Sequence, residues 1–197
     1  METYKIVLIA IAAAIGALLL FMILRTVCIR PKKMPKHGDY PKLDLDKEKI
    51  AKDLSGAIQI PTVSMVEEYE GQDEPFKKYR QYLKTTFPLI HKTAELTIIN
   101  GYSLVYHFKG ENAELKPACF LAHQDVVPAN PEGWEYPPFS GTITEDGFIY
   151  GRGALDMKNH MIALMEAMEK MLENGQTFER GVYFCFGHDE EPGTSFE

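Results

Sequence analysis

Residues 158–191 read KNHMIALMEAMEKMLENGQTFERGVYFCFGHDEE, and this stretch decides the fold. From Lys158 to Glu173, the residues Met161, Leu164, Met165, Met168 and Leu172 fall on one face at helical spacing, and Asn174-Gly175 supplies a stop. Gly181–Phe186 is an apolar run too short for a helix and rich in aromatic residues, which reads as a buried strand. Pro117–Ala122 has the same character earlier in the chain. A helix between two apolar strands is the pattern of a parallel crossover, so the expected fold is α/β, a mainly parallel sheet flanked by helices. In such sheets, ligands bind beyond the carboxyl ends of the strands.

The rest of the body extends this pattern. Asp44 to Ala57 reads as an amphipathic helix, ending before Ile58-Gln59-Ile60-Pro61. Glu74 to Phe87 reads as another, with Phe76, Tyr79, Tyr82, Leu83 and Phe87 as a core-facing stripe and Pro88 as its stop. Ala94–Ile99 and Ser103–Phe108 flank Asn100-Gly101, a strong hairpin signal. Thr142–Thr144 and Phe148–Tyr150 flank a Glu145-Asp146-Gly147 turn.

Three polar stretches follow strand-like runs, where the sheet rule places a site: His123-Gln124-Asp125, Asp156 after the Gly151-Arg152-Gly153 turn, and Asp189-Glu190-Glu191. Imidazole and carboxylate are the usual zinc ligands, and one carboxylate can bridge two cations. Asp125, two residues after His123, is placed to accept the second imidazole N–H. In the tandem acid pair, one side chain can face a metal while its diverging neighbour faces the attacking water. Each motif alone is weak: His-x-Asp is frequent by chance, and paired acids are usually a solvated turn. Their spacing, 33 residues from His123 to Asp156 and 34 to Glu190, carries the signal. His37, His91, His107 and His160 read as surface or packing residues, and Arg152 as a partner in a structural ion pair.

These stretches resemble the M20 metallopeptidase family, in particular its carboxypeptidase S-like branch. The resemblance rests on Leu121-Ala122-His123-Gln124-Asp125-Val126-Val127-Pro128, on Gly133–Gly141, on Gly147–Asp156 and on Phe186–Glu191, and extends from about Asp46 to Glu197. It implies a zinc-peptidase-like domain with two zinc ions, in which His123 binds one, Glu191 the other and Asp156 bridges both. It further implies Glu190 as general base, Asp125 as the residue orienting His123, His188 as no ligand, and a cis Asp156–Met157 bond. The branch often has Asp where Met157 stands; Met157 matches no ligand position. The implied reaction is hydrolysis of amide bonds in peptides or N-acyl amino acids. The resemblance also places another acidic ligand, a His ligand and a smaller dimerisation domain in sequence outside residues 1–197. The expectation is therefore a truncated catalytic domain, inactive alone, from a protein that is a homodimer when whole. Two other readings stay open: a metal-free, membrane-tethered binding module, and a di-metal deacylase of non-peptide amides.

The N-terminus differs from this body. Residues 6–24, IVLIAIAAAIGALLLFMIL, contain no charge and no Pro, and as a helix would span roughly 28 Å, the depth of a bilayer core. A signal peptide is the rival reading, but no small-residue cleavage site follows. The expected organisation is a transmembrane anchor over 1–29, a Pro- and Lys-containing tether over 30–45 and the catalytic part over 46–197. One single-pass membrane protein results, and Lys/Arg after the span favour a cytoplasmic body without deciding the side. Formal charge is −7, with +5 over residues 1–43 and −12 over the rest, which argues against nucleic-acid binding. The three cysteines form no disulfide framework; Cys119 and Cys185, inside apolar runs, are expected to be buried.

Overall fold

The computed structural model describes residues 2–29, 42–65 and 73–192. They form two compact units, Met1–Lys42 and Leu43–Glu197. The first contains helix α1 (Thr3–Cys28), 26 residues with no buried side chain and a mean hydropathy of 3.1 in its most apolar window. It is long and apolar enough to cross a membrane. Most of the tether expected over 30–45 lies outside the described residues, as does His37.

In the second unit, α2 (Lys47–Ile58) starts three residues after Asp44 because the Asp46 carboxylate accepts the free N–H groups of Glu48 and Lys49. Helix α3 (Asp73–Thr86) ends as its sequence implies, but Pro88 opens a further helix, α4 (Pro88–Thr93). Proline suits a first helical position, where its missing N–H would have no partner. The N–H groups of Leu89 and Ile90 donate instead to the Glu169 carboxylate on α5 (Lys158–Glu173), at 2.8 and 2.9 Å.

The main sheet has the order β1-β2-β6-β3, formed by Glu95–Ile99, Ser103–Phe108, Val182–Gly187 and Ala118–His123. Thr142–Ile143 (β4) and Ile149–Tyr150 (β5) make a separate two-stranded ribbon. Among the strands of the described residues, β3 and β6 pair in parallel while β1–β2 and β2–β6 are antiparallel, so the sheet is mixed rather than mainly parallel. The cause is local. Asn100 and Gly101, at φ 51° and 83°, make a tight hairpin turn that returns β2 against β1. The parallel pair comes, as expected, from the crossover through α5.

The core lies on one face of this sheet. Tyr106, Phe108, Phe184 and Phe186 meet Tyr79 and Leu83 of α3, Phe87, and Met161 and Met165 of α5, all buried. Each such side chain contributes roughly 1.5–3 kcal/mol through burial. The other face carries Cys119 and Cys185, which are exposed and half-exposed with their sulfurs 3.7 Å apart. They were expected to be buried; alternate residues of a strand face opposite ways, and theirs is the face away from the core.

Between α2 and α5, the Lys49 ammonium meets Asp53 at 2.6 Å and Glu166 at 2.9 Å. One cation serves two carboxylates. Burial first, then the hydrogen bond with Asp53, outweigh Lys49 and push Glu166 up to about 7. The folded state therefore binds this proton more tightly than the unfolded chain. Its contribution to stability is greatest below the ordinary Glu range and declines as pH rises towards 7. Urea midpoints of wild type relative to Glu166→Gln should fall between pH 4.5 and 7.5; a pH-independent difference would contradict this.

Candidate metal centre

The parallel pairing sets His123 of β3 beside Gly187 of β6, and the Gln124 N–H donates to the Gly187 carbonyl at 2.9 Å. Both strands therefore end together, and the residues that follow them, Asp125 and Glu190-Glu191, share one rim. The Glu191 N–H donates to Oδ2 of Asp125 at 3.1 Å. Asp125 is fully buried, and His123 nearly so.

Asp156 reaches the same rim from a different direction. The turn before it holds Gly153 at φ 82°, and the Lys158 N–H donates to the Gly153 carbonyl as α5 begins. The Asp156–Met157 bond is cis. Lys158 is fully buried; its Nζ donates to the carbonyls of Ala57 and Ile60 at 2.9 and 2.7 Å and lies over the Tyr79 ring. Burial pulls this ammonium down to about 7, against the attraction of Asp125. The start of α5 is thus pinned to the end of α2, which sets where Asp156 projects.

Nε2 of His123 lies 3.1 Å from Oδ1 of Asp156 and 3.6 Å from Oε2 of Glu190. One ligand atom each from His123, Asp156 and Glu191 falls within 4.8 Å of the others. The Asp156 side chain is 78% exposed and that of Glu190 58% exposed, so both can meet a ligand arriving from solvent. On its other side, His123 Nδ1 faces two acceptors of Asp125, the main-chain oxygen at 3.1 Å and Oδ1 at 3.3 Å. Both ring nitrogens face acceptors; with a cation among Asp156, Glu190 and Glu191, Nδ1 would keep its proton towards Asp125 and the Nε2 lone pair would face the ion.

The electrostatics suit a cation. Four carboxylates, from Asp125, Asp156, Glu190 and Glu191, converge on one imidazole. Burial opposes charge on His123, yet Asp125 and then Asp156 outweigh it and raise the ring to about 9. Burial raises Glu191, and Asp156, Asp125 and Glu190 add to this against the pull of His123. Asp125 is held low: burial opposes this, but His123, Ser64 and the Glu191 amide prevail. Its Oδ1 is buried without a hydrogen-bond partner. Surplus negative charge with nitrogen and oxygen donors fits a zinc-like divalent ion.

The sequence reasoning named these five residues; it missed Ser64 and Lys158. Ser64 Oγ donates to Asp125 Oδ2 at 2.6 Å, and Lys158 follows a ligand candidate without a feature that marks it as buried. Other histidines have packing partners: His91 meets Tyr106, His107 stacks on Tyr183, and His188 contacts Ser103 and Tyr102. Arg152 lies over the Trp134 ring, 5.4 Å from its centre, and makes no ion pair with an acid among the described residues. The expected ion pair is replaced by an aromatic contact.

Beyond the paired ends of β3 and β6, with Asp156 reaching in from the turn before α5, His, Asp and Glu surround one point, an arrangement suited to a metal-dependent hydrolase. Residues 119–196 match the model for peptidase family M20/M25/M40. The chain is 38% identical over 199 residues to probable carboxypeptidase S-like 2 of Dictyostelium discoideum, a match covering 96% of this chain and 38% of that protein. It is 40% identical over 148 residues to the N-fatty-acyl-amino acid synthase/hydrolase PM20D1 of Xenopus tropicalis, covering 74% of this chain and 28% of that one. Among solved structures, the M20 family metallo-carboxypeptidase Sso-CP2 from Sulfolobus solfataricus matches with a TM-score of 0.58 and 26% identity, over 74% of this chain and 32% of that chain. The chain belongs to the M20 metallopeptidase family, on its carboxypeptidase S-like side. It spans less than two fifths of the length of these relatives.

Proposed function

We propose that the whole protein hydrolyses amide bonds of peptides or N-acyl amino acids at a two-zinc site. The observation that carries this reading is the convergence of His123, Asp156 and Glu191 within 4.8 Å, with Glu190 beside them. His123, through Nε2, and the carboxylates of Asp156 and Glu191 would hold the ions. Zinc, when bound, acidifies water and polarises the scissile carbonyl. Asp125 holds the His123 ring through Nδ1. Glu190, exposed beside Nε2 of His123, would take the proton of the attacking water and return it to the leaving nitrogen. A binding module would need no such base, which disfavours the metal-free reading.

The names of the relatives cover both substrate classes, carboxypeptidase and N-acyl amino acid hydrolase. Residues 1–29 serve as a membrane anchor and 30–45 as a tether in this reading, with 46–197 forming the N-terminal part of the catalytic domain. The test is hydrolysis of a dipeptide panel and an N-acyl amino acid panel by the whole protein. Hydrolysis is expected to stop with chelator and return with zinc; chelator-insensitive hydrolysis would remove the metal from the mechanism. Cleavage confined to non-peptide amides would favour a deacylase.

A further inference from the structure

Ile60-Pro61-Thr62-Val63-Ser64 leaves α2 and runs beside the extension of β3. Val63 forms a parallel bridge with Val126; the Val126 N–H donates to the Thr62 carbonyl at 3.0 Å and the Ser64 N–H to the Val126 carbonyl at 3.3 Å. Residues two apart in an extended segment point the same way, and both hydroxyls here are buried. Thr62 Oγ1 donates to the Gln124 carbonyl at 2.5 Å, and Ser64 Oγ to Oδ2 of Asp125 at 2.6 Å. The segment is thus fastened to the residues on either side of the Gln124–Asp125 peptide bond.

Asp125 offers two oxygens. Oδ2 takes the Ser64 hydroxyl and the Glu191 amide; Oδ1 lies 3.3 Å from Nδ1 of His123, which also meets the Asp125 main-chain oxygen at 3.1 Å, and Oδ1 has no hydrogen bond of its own. Without the serine, Oδ2 would keep only the longer, 3.1 Å bond from Glu191, and the carboxylate could rotate about its Cβ–Cγ bond. Such rotation would disturb both Nδ1 of His123 and the backbone of Glu191, so one hydroxyl reaches two ligand candidates through one carboxylate.

We propose that Ser64 is a positioning residue of the metal centre: with the Glu191 amide it occupies Oδ2 of Asp125, reserving Oδ1 for the Nδ1–H face of His123 and keeping Nε2 free for the metal. This rests on the metal reading above. Partners behind metal ligands commonly govern affinity, and losing one typically weakens binding about 10- to 100-fold.

The test uses the whole protein, of which this chain is a part, in detergent micelles. Zinc titration of Ser64→Ala should show affinity about tenfold below wild type. Because Ser64 acts through Asp125, Ser64→Ala added to Asp125→Ala should cause no further loss. Ser64→Thr, which keeps the hydroxyl, should stay within about twofold of wild type. A second readout needs no metal: at pH 10 with chelator, long-range 15N–1H spectra report which His123 nitrogen is protonated. The Nδ1–H share should be the same in wild type and Ser64→Thr and lower in Ser64→Ala, where the Asp125 main-chain oxygen alone would hold Nδ1. If Ser64→Ala fails to fold, Ser64→Cys, with its weak donor, replaces it in every comparison. Unchanged tautomer populations in the variant would overturn the proposal, as would additive losses in the double variant. If wild type binds no zinc while the tautomers still respond to Ser64, the metal reading fails and the positioning role of Ser64 stands.

Discussion

In Asp156→Ala, zinc affinity is expected to fall by about 100-fold or more, with thermal unfolding in chelator essentially unchanged. The two outcomes separate because the Asp156 side chain is 78% exposed. Its removal opens no cavity, and the one buried atom it meets, Nε2 of His123, keeps Oε2 of Glu190 at 3.6 Å, so the usual sources of large destabilisation are small here. Metal binding, in contrast, depends directly on the number of anionic donors. Asp156 contributes the oxygen nearest to Nε2 of His123, at 3.1 Å, and is the bridging candidate. Its deletion would leave His123 and Glu191 as the surviving pair. Isothermal titration with zinc, beside a melting curve in chelator, measures both. Affinity within tenfold of wild type would show that the ligand set has been misassigned.

Gly153→Val should have the largest effect on folding. Gly153 sits at φ 82°, where a β-branched residue is a genuine outlier, and that alone costs on the order of 1–3 kcal/mol. A side chain there would also place its Cβ 2.7 Å from Cγ1 of Val126, itself fully buried. The combined loss should reach about 3 kcal/mol or more, within the range for overpacked or strained core sites. The displaced turn carries Asp156, so zinc affinity should drop even where the variant still folds. Chemical denaturation of Gly153→Val, with Gly153→Ala as the milder form of the same backbone conflict, measures the effect.

How much of this molecule could be read from its residues varied with the kind of information. The α5 helix came out with its observed bounds, because five apolar residues at helical spacing and an Asn-Gly stop are local signals. The hairpin did too, through Asn100-Gly101. Strand direction did not, since an apolar run such as Gly181–Phe186 looks the same whichever neighbour it pairs with; β6 has one parallel and one antiparallel partner. Cys119 and Cys185 were misjudged for a related reason, because an all-apolar run hides which alternate residues face the core. Pro88 marks a boundary, but whether it ends one helix or begins another depends on Glu169, 81 residues away. At the site, the five named residues were legible because each belongs to a short motif after a strand. Ser64 was not: a lone serine beyond Ile60-Pro61 acquires meaning only when tertiary pairing brings it to Asp125.

The edge of the main sheet has a practical outcome for anyone handling this polypeptide. β3 ends the strand order among the described residues, and it presents Phe120 and Leu121 at 42% and 68% exposure. Open backbone donors and acceptors beside large greasy side chains invite another extended segment to add itself to the ladder. Concentrated preparations of residues 1–197 by themselves should therefore grow oligomers from that margin, and a charged replacement at Leu121 should keep them dispersed.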